Sequence, residues 1–403
     1  MAGGDDNTDV PALHQKYGPV VRISPQHVSF AGGANAFKDI YGFKKSGQSK
    51  LHKEPLFYSA PVNKVHSLIT ANDLNHTRQR KILSHSFSDK ALKEQEPILK
   101  HWAEKLLNKL SERAAVGSKT DLLAYYNFTT FDIMGDLSFN EGLNMLENSE
   151  YATFVKVIFA GIKTATFFRA AKYYSSIFEY LINEVLFKTD RVRQAMIDHW
   201  NYTKERVDRR LAKTPERPDL WTKIIEKSQG PEALTVDEHH SIANLFMVAG
   251  TETTATALSG TTYHLLQNRV YLDKLVAEIR RTFASFEDIN LEELPRMKYL
   301  HAVLLEGLRM YPPVPTALPR VAPKGGAVID GYFLPEGTVF GVHHLATYQM
   351  EEHFKKAGEF HPERWLGDEE FKDDHHDAME PFSVGPRNCL GKVSCTLYVL
   401  ACG

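Results

Sequence analysis

The residues with most chemistry in them lie near the C-terminal end of the chain. Phe382 to Gly391 reads FSVGPRNCLG, with Cys389 between Gly385 and Gly391 and Arg387 two positions before it. Glycines permit backbone conformations and close approaches that a Cβ forbids. Such a loop can hold a thiolate rigidly, with backbone N–H groups aimed at its sulfur. A helix starting at Gly391 would add positive dipole character there and lower the thiol pKa. Taken alone, a glycine-rich turn with an incidental buried cysteine would read the same way. A second constellation is AGTETT, Ala249 to Thr254. Glu252 and Thr253 set an acid beside an alcohol, in a helix where Gly250 costs about 1 kcal/mol relative to alanine. Small and polar residues there can open a groove for a diatomic ligand, and the acid–alcohol pair can pass protons. A polar kink in a core helix is the other reading. Third, Glu306 and Arg309 stand three apart and so share one helix face.

These groups need elements to position them. Thr235 followed by Glu238 makes a capping box. Ile242, Leu245, Phe246, Ala249 and Thr253 then recur at helical spacing, which predicts one helix over 236–267, on the order of 45 Å long. A second helix is predicted over about Met297 to Met310, stopped where Tyr311 meets Pro312 and Pro313. Residues 19–30 read as two short strands around a Ser-Pro turn, and AVID-GYFLPEG-TVFGV as a small strand and hairpin group. The region 72–284 is mostly helical in pattern. Many helices with small sheets make an α-rich α+β chain.

Composition narrows the classes. Of 403 residues, 48 are Lys or Arg and 50 Asp or Glu, a net charge of −2, so nothing points to nucleic acid. Three cysteines, Cys389, Cys395 and Cys402, give neither a disulfide framework nor paired zinc spacing, and a reducing compartment fits. The doublets His239–His240, His343–His344 and His375–His376 carry no metal spacing and read as surface or loop residues. The greasiest stretch, Phe154 to Phe168, is too short and too charged to span a bilayer. MAGGDDNTDV at the start is neither signal peptide nor myristoylation site.

FSVGPRNCLG resembles the haem-binding loop of the cytochrome P-450 family, Phe-x-x-Gly-x-Arg-x-Cys-x-Gly, at every fixed position. AGTETT, EGLR (Glu306 to Arg309) and PERW (Pro362 to Trp365) resemble three further motifs of that family, in its order. The resemblance runs from about Tyr17 to Gly391. YGPVVRISP and EFHPERWLG look most like fungal microsomal members that tailor secondary metabolites. It implies the cytochrome P-450 fold over residues 1–403 as one catalytic domain, mainly α, with a long central helix and small β-sheets. It also implies that both ends are cut short. The chain runs 14 residues past Cys389, so the C-terminal strands are expected to be lacking, as are the N-terminal anchor and its Pro-rich hinge.

The same resemblance implies a haem-thiolate monooxygenase that uses haem b (iron protoporphyrin IX) and dioxygen. Its electrons would come from NADPH through a separate cytochrome P-450 reductase, docked near Arg387 and Lys392. Cys389 would be the metal ligand. Thr253 would hydrogen-bond dioxygen, and Glu252 would help relay protons. The haem would rest against Ala249 and Gly250 and be enclosed by Phe382, Gly385 and Gly391. Its propionates would find His76, Arg80, Arg320 and Arg387. Arg364 would complete a buried structural cluster with Glu306 and Arg309. Phe246, Val314, Pro315, Thr316 and Ala317 would wall the pocket of a small, largely apolar substrate, with 154–168 as a lid allowing a peripheral membrane contact. Cys395 would stand under the haem where a small residue is common. The family's place is the cytosolic face of the endoplasmic reticulum; without an anchor, the chain would be cytoplasmic. Two rivals stand: a truncated fragment without catalysis, and a haem-thiolate isomerase or dehydratase needing no external electrons. The Glu252–Thr253 pair argues against the latter.

Overall fold

The computed structural model describes residues 6–44, 50–58, 63–152, 155–156, 190–213 and 217–392. The segment 157–168 of the expected lid, Phe154, and Cys395 with the helix expected around it lie outside these residues. In chain order the N-terminal part holds α1 (Asp6–Tyr17), β1 (Val20–Ser24), β2 (His27–Phe30), α2 (Ala34–Tyr41), β3 (His52–Lys53) and α3 (Asp73–Leu83). The helical body follows: α4 (Asp89–Ala115), α5 (Leu122–Phe139), α6 (Met145–Asn148), α7 (Asp190–Ala212), α8 (Leu220–Lys227), α9 (Val236–Ala249), α10 (Glu252–Gln267), α11 (Arg269–Thr282) and α12 (Lys298–Met310). Last come β4 (Arg320–Val321), β5 (Ala327–Ile329), β6 (Tyr332–Leu334), β7 (Val339–Val342) and α13 (His344–Tyr348). The described residues are thus helix-rich, with two small sheets.

The main core forms around α5, which is buried on all sides from Tyr125 to Phe139. A helix apolar all round belongs in the middle, and α4, α9 and α10 pack against it. Trp102, Phe131, Leu137, Trp221, Ile242 and Met247 fill the space between. A second core lies under the five-stranded sheet, ordered β1-β2-β7-β4-β3. There Phe30, Phe37, Ile40, Phe340 and Val342 meet. β2 runs parallel to β7, and the other pairs are antiparallel. The hairpin β5–β6 turns through Asp330 and Gly331, with φ of 48° and 81°. Positive φ at both central residues is the turn that matches the twist of its strands.

The capping box forms as its spacing requires. The Glu238 amide donates to Thr235 Oγ1 at 3.2 Å, and the Thr235 amide donates to Glu238 Oε2 at 2.9 Å. The single helix expected over 236–267 does not form; it is interrupted at Gly250–Thr251, between α9 and α10. Three hydroxyls compete for its carbonyls. Thr251 Oγ1 donates to Met247 O at 2.6 Å, Thr253 Oγ1 to Ala249 O at 2.6 Å, and Thr254 Oγ1 to Gly250 O at 3.0 Å. Such back-bonding bends a helix, and Gly250 lets the bend pack closely. A Cβ at Gly250 would lie 2.7 Å from Met134 Sδ.

Two histidine doublets also depart from their expected surface places. His239 and His240 are buried in α9, and His343 and His344 are buried at the start of α13. His240 Nε2 meets Asp208 Oδ1 at 2.6 Å, and the His344 ring stacks on Tyr348 with centroids 6.0 Å apart. Both doublets face packed elements, a fact their spacing could not carry. Of the three doublets, only His375–His376 is exposed. Among the described residues no cluster of His, Cys, Asp and Glu could hold a metal ion.

One buried ionic cluster ties α12 to the segments that follow it. Glu306, Arg309 and Arg364 have wholly buried side chains. Glu306 Oε1 accepts from Arg309 Nη2 at 2.8 Å, Arg364 Nε at 3.1 Å and the His361 amide at 2.8 Å. Its Oε2 accepts from Arg309 Nε and Trp365 Nε1, both at 2.9 Å. Burial pushes this carboxyl up, but the Arg309 and Arg364 guanidinium groups outweigh it and hold the pKa below its usual value. Arg309 also donates to the carbonyls of Tyr348, Ala357 and Glu359. Arg364 pairs with Asp374, which the motif reading did not include. Glu306→Gln is expected to destabilise the fold by about 3–5 kcal/mol, because buried Arg309 loses its carboxylate partner and Arg364 is left with Asp374 alone. Chemical denaturation measures this; a shift under about 1 kcal/mol would count against the cluster's structural weight.

Candidate functional site

The cysteine loop is built by close backbone contact. Gly385 has φ 75°, and a Cβ there would stand 2.1 Å from the Tyr41 carbonyl oxygen at the end of α2. A short 3₁₀ turn, Gly385–Arg387, follows, and the Cys389 amide donates to the Phe382 carbonyl at 2.8 Å. Gly391 differs from expectation: a Cβ there would have room, its nearest neighbour being Phe87 at 4.0 Å. What Gly391 contributes is its backbone N–H, which favours a charged Cys389 sulfur. Cys389 is open to solvent on one side, though protein crowds its sulfur. Burial therefore pushes the free thiol up, against the Gly391 N–H, Arg80 and Lys392, which pull it down. This corrects the expectation of a lowered thiol pKa. The helix expected from Gly391 lies outside the described residues beyond Lys392.

Around this loop gather the cations singled out by the sequence. Arg80, on α3, donates from Nη1 to Asn388 O at 2.5 Å and from Nη2 to Asn388 Oδ1 at 2.6 Å. This fork clamps the residue next to Cys389. Arg387 Nη2 donates to Asp73 Oδ1 at 2.8 Å and to Ala71 O at 3.0 Å, while its Nη1 is buried without a partner. His76 is buried on α3. Burial lowers its pKa to about 4, helped by Arg387, Lys53 and Arg80. Arg320, buried in β4, donates from Nη1 to Tyr58 Oη at 3.3 Å and lies over the Tyr41 ring. Sequence reasoning missed Lys53, Tyr58, Asp73 and Asn388. Asn388 could have been found, since it sits inside the loop motif. The others carry no motif and join only through strand pairing and the start of α3.

The bend between α9 and α10 supplies the other face. Ala249 is exposed and Gly250 half-buried, unusual for mid-chain positions flanked by core residues. Glu252 Oε1 is buried without a partner. Burial alone raises that carboxyl to about 7. Thr253 Oγ1 is committed to Ala249 O in this structure. Phe246 is taken up by the core, its ring edge-on to Phe87 at 5.6 Å and to Trp221 at 5.8 Å. Val314, Pro315, Thr316 and Ala317 are half-buried in the turn after α12. They are held there by His344 Nδ1 at Val314 O and the Leu345 amide at Pro315 O, both 2.9 Å.

The arrangement joins an exposed cysteine in a locked loop, a gathering of buried and half-buried cations and a bent helix with an unpartnered acid. The cytochrome P-450 family model matches residues 5–393. The chain belongs to the cytochrome P-450 family. This cytochrome P-450 is 49% identical over 394 residues to cytochrome P-450 monooxygenase efuB of Hormonema carpetanum, covering 96% of the chain and 77% of that protein. It is 41% identical over 402 residues to cytochrome P-450 monooxygenase traB of Penicillium crustosum, covering 97% and 78%. With cytochrome P-450 monooxygenase FUM2 of Gibberella moniliformis it shares 40% over 383 residues, covering 94% and 80%. The chain is thus an enzyme of the cytochrome P-450 monooxygenase class. The family implies haem, a redox partner and a small-molecule substrate. Among the described residues no helix is long and apolar enough to cross a membrane.

The raised Glu252 pKa has a testable sign. The folded state holds this proton more tightly than the unfolded chain, whose carboxyl titrates near its ordinary value of 4.5. The stabilisation it gives is full below 4.5 and lost as pH rises through about 7. Compared with Glu252→Gln, the unaltered protein should lose stability over that window. Denaturation midpoints of the two proteins measured across pH test this; a constant difference sinks it.

Proposed function

We propose that this cytochrome P-450 is a haem-thiolate monooxygenase that binds haem b through Cys389. The observation that carries the reading is Cys389 held open in a loop clamped by Arg80, beside buried cations with one guanidinium nitrogen unsatisfied. A group with two carboxylates and a metal fits that donor set: thiolate for the metal, Arg387 Nη1 and its neighbours for the carboxylates. Bound haem supplies the oxidation, taking dioxygen, two electrons and two protons to put one oxygen atom into the substrate and release the other as water.

The chain's own residues do the rest. Cys389 would hold the metal as a thiolate, a charge that the Gly391 N–H would favour. Arg80, His76, Arg320 and Arg387 hold the carboxylates, and Phe382 and Gly385 shape the loop around them. Ala249 and Gly250 leave room over the bend. Glu252, whose carboxyl burial raises to about 7, can both hold and release a proton near neutral pH, and Thr253 passes it on once its hydroxyl leaves Ala249 O. The half-buried turn Val314–Ala317 walls a pocket for a small, largely apolar molecule. Electrons come from NADPH through a separate reductase, for which exposed Lys392 and half-buried Arg387 offer positive charge. Kinship to efuB, traB and FUM2 supports a tailoring step in fungal secondary metabolite synthesis; the cytosolic face of the endoplasmic reticulum and a single catalytic domain over residues 1–403 are taken from the family resemblance alone.

The deciding experiment is the reduced carbon monoxide difference spectrum of the haem-reconstituted protein, with NADPH, reductase and candidate substrates added afterwards. A thiolate-type Soret band and oxygen-dependent product support the reading. Cys389→Ala should abolish that band; an unchanged spectrum refutes the assignment. Thr253→Ala should divert NADPH to peroxide by about tenfold or more, in line with the 10²–10⁴ typical of general acid–base groups. Unaltered coupling in a peroxide assay removes Thr253 from the relay.

A further inference from the structure

The chain from Tyr311 to Pro315 reads YPPVP, and three of its five residues have no backbone N–H to give. A segment so poor in donors cannot join a regular ladder, so its carbonyls need partners from elsewhere. Two successive carbonyls find them on two successive residues of α13. His344 Nδ1 donates to Val314 O, and the Leu345 amide donates to Pro315 O, both at 2.9 Å. A carbonyl only accepts, so the proton of the His344 ring lies on Nδ1. Its Nε2 is then an acceptor, and it is buried without a partner. The ring packs against Phe37 and Tyr348, with centroids 5.2 and 6.0 Å away. Burial lowers its pKa to about 4, so it is neutral near neutral pH. An apolar ring would suit these neighbours better, because burying an unpaired acceptor costs stability. What histidine adds is one N–H aimed at the turn. The far end of the turn is set by contact instead: a Cβ at Gly341 of β7 would lie 2.9 Å from Ala317 Cβ.

We propose that His344 is a positioning residue of the substrate pocket: its Nδ1–H, bonded to the Val314 carbonyl, fixes the place of the wall Val314–Ala317 and so the fit of any ligand that reaches past the iron. The inference rests on the haem reading above and on that turn as its substrate wall. His344 acts through the turn, since its own ring is buried among protein side chains. With the bond made, the wall is ordered before a ligand arrives. Without it the Leu345 amide remains as the tie from α13, and the ligand must order the wall at a cost to its own binding. A ligand that meets only the iron does not feel the difference.

The test loads the unaltered protein, His344→Phe and His344→Asn with iron protoporphyrin IX. Phenylalanine keeps a ring and removes the donor; asparagine keeps a donor near the place of Nδ1. Each protein is titrated with imidazole, which needs little beyond the iron, and with N-phenylimidazole, whose second ring must lie along the pocket. The nitrogen-ligand Soret shift reads binding. His344→Phe should weaken N-phenylimidazole about three- to tenfold, the size of one neutral hydrogen bond, and leave imidazole unchanged. His344→Asn should recover most of that loss. Hydrogen exchange at the Leu345 amide should quicken in His344→Phe, because its bond to Pro315 O then opens more freely. Equal weakening of both ligands makes the role structural and overturns the proposal. No weakening, or no recovery with asparagine, overturns it too. Should His344→Phe fail to fold, His344→Gln, whose donor stands near the place of Nε2 instead, takes its part in the comparison. Nitrogen NMR of labelled histidine in the unaltered protein gives an independent check: a His344 proton on Nε2 in place of Nδ1 removes the bond on which the proposal stands. If the unaltered protein shows no Soret shift even with imidazole, the haem reading itself falls, and this inference with it.

Discussion

The structure depends on one carboxylate. Glu306 accepts five hydrogen bonds from Arg309, Arg364, Trp365 and the His361 backbone. Through the two arginines it reaches the carbonyls of Tyr348, Lys355, Ala357 and Glu359. Those carbonyls lie in irregular chain with few ladder partners, so side chains satisfy what secondary structure does not. The apolar cluster of Tyr348, Phe354, Ala357, Ala378 and Met379 closes over the same region, and Met379 leads into the cysteine loop. A rigid anchor is therefore set just before the segment that carries Cys389. Buried ion pairs give little net stability against apolar replacements; here the gain is a fixed path for a chain that is neither helix nor sheet.

Charge is distributed with the opposite logic at the other side of the loop. Behind it every guanidinium has its anion. In front of it the cations outnumber their carboxylates, and Arg387 keeps a buried nitrogen without an acceptor. The first arrangement is closed and the second is open, as a structural centre and a binding centre should be. The bent helix repeats the pattern on a smaller scale: three threonine hydroxyls satisfy carbonyls locally, while Glu252 Oε1 finds nothing.

What could be read from the sequence follows from how local each feature is. The capping box at Thr235, the proline stop after Met310 and the Asp330–Gly331 hairpin are set by neighbours in the chain, and they form where expected. The Glu306–Arg309 pair is legible from spacing, but Arg364 joined it only through family resemblance, and Asp374 not at all. The helix break escaped periodicity because apolar spacing continues across it; the cause is the hydroxyl of each threonine, which periodicity ignores. His239 and His344 were misplaced because burial depends on what packs opposite. Phe246 was drawn toward the pocket by its position, whereas Trp221 and Phe87 claim it. Lys53 has no local signal whatever: only strand pairing sets it across a ladder from Arg320.

That ladder belongs to a sheet whose members are far apart in the chain. His27 pairs with Val339, and His52 with Val321. During synthesis the early strands must wait for these partners, roughly 15–60 seconds at 5–20 residues per second. Until then β2 and β3 stand as unpaired edges, exposed to wrong pairing. The helical body, built largely of contacts nearer in the chain, can condense first. Cofactor capture then becomes one of the last events in maturation, and a nascent polypeptide stalled before residue 320 would carry half a cradle with nothing to close it.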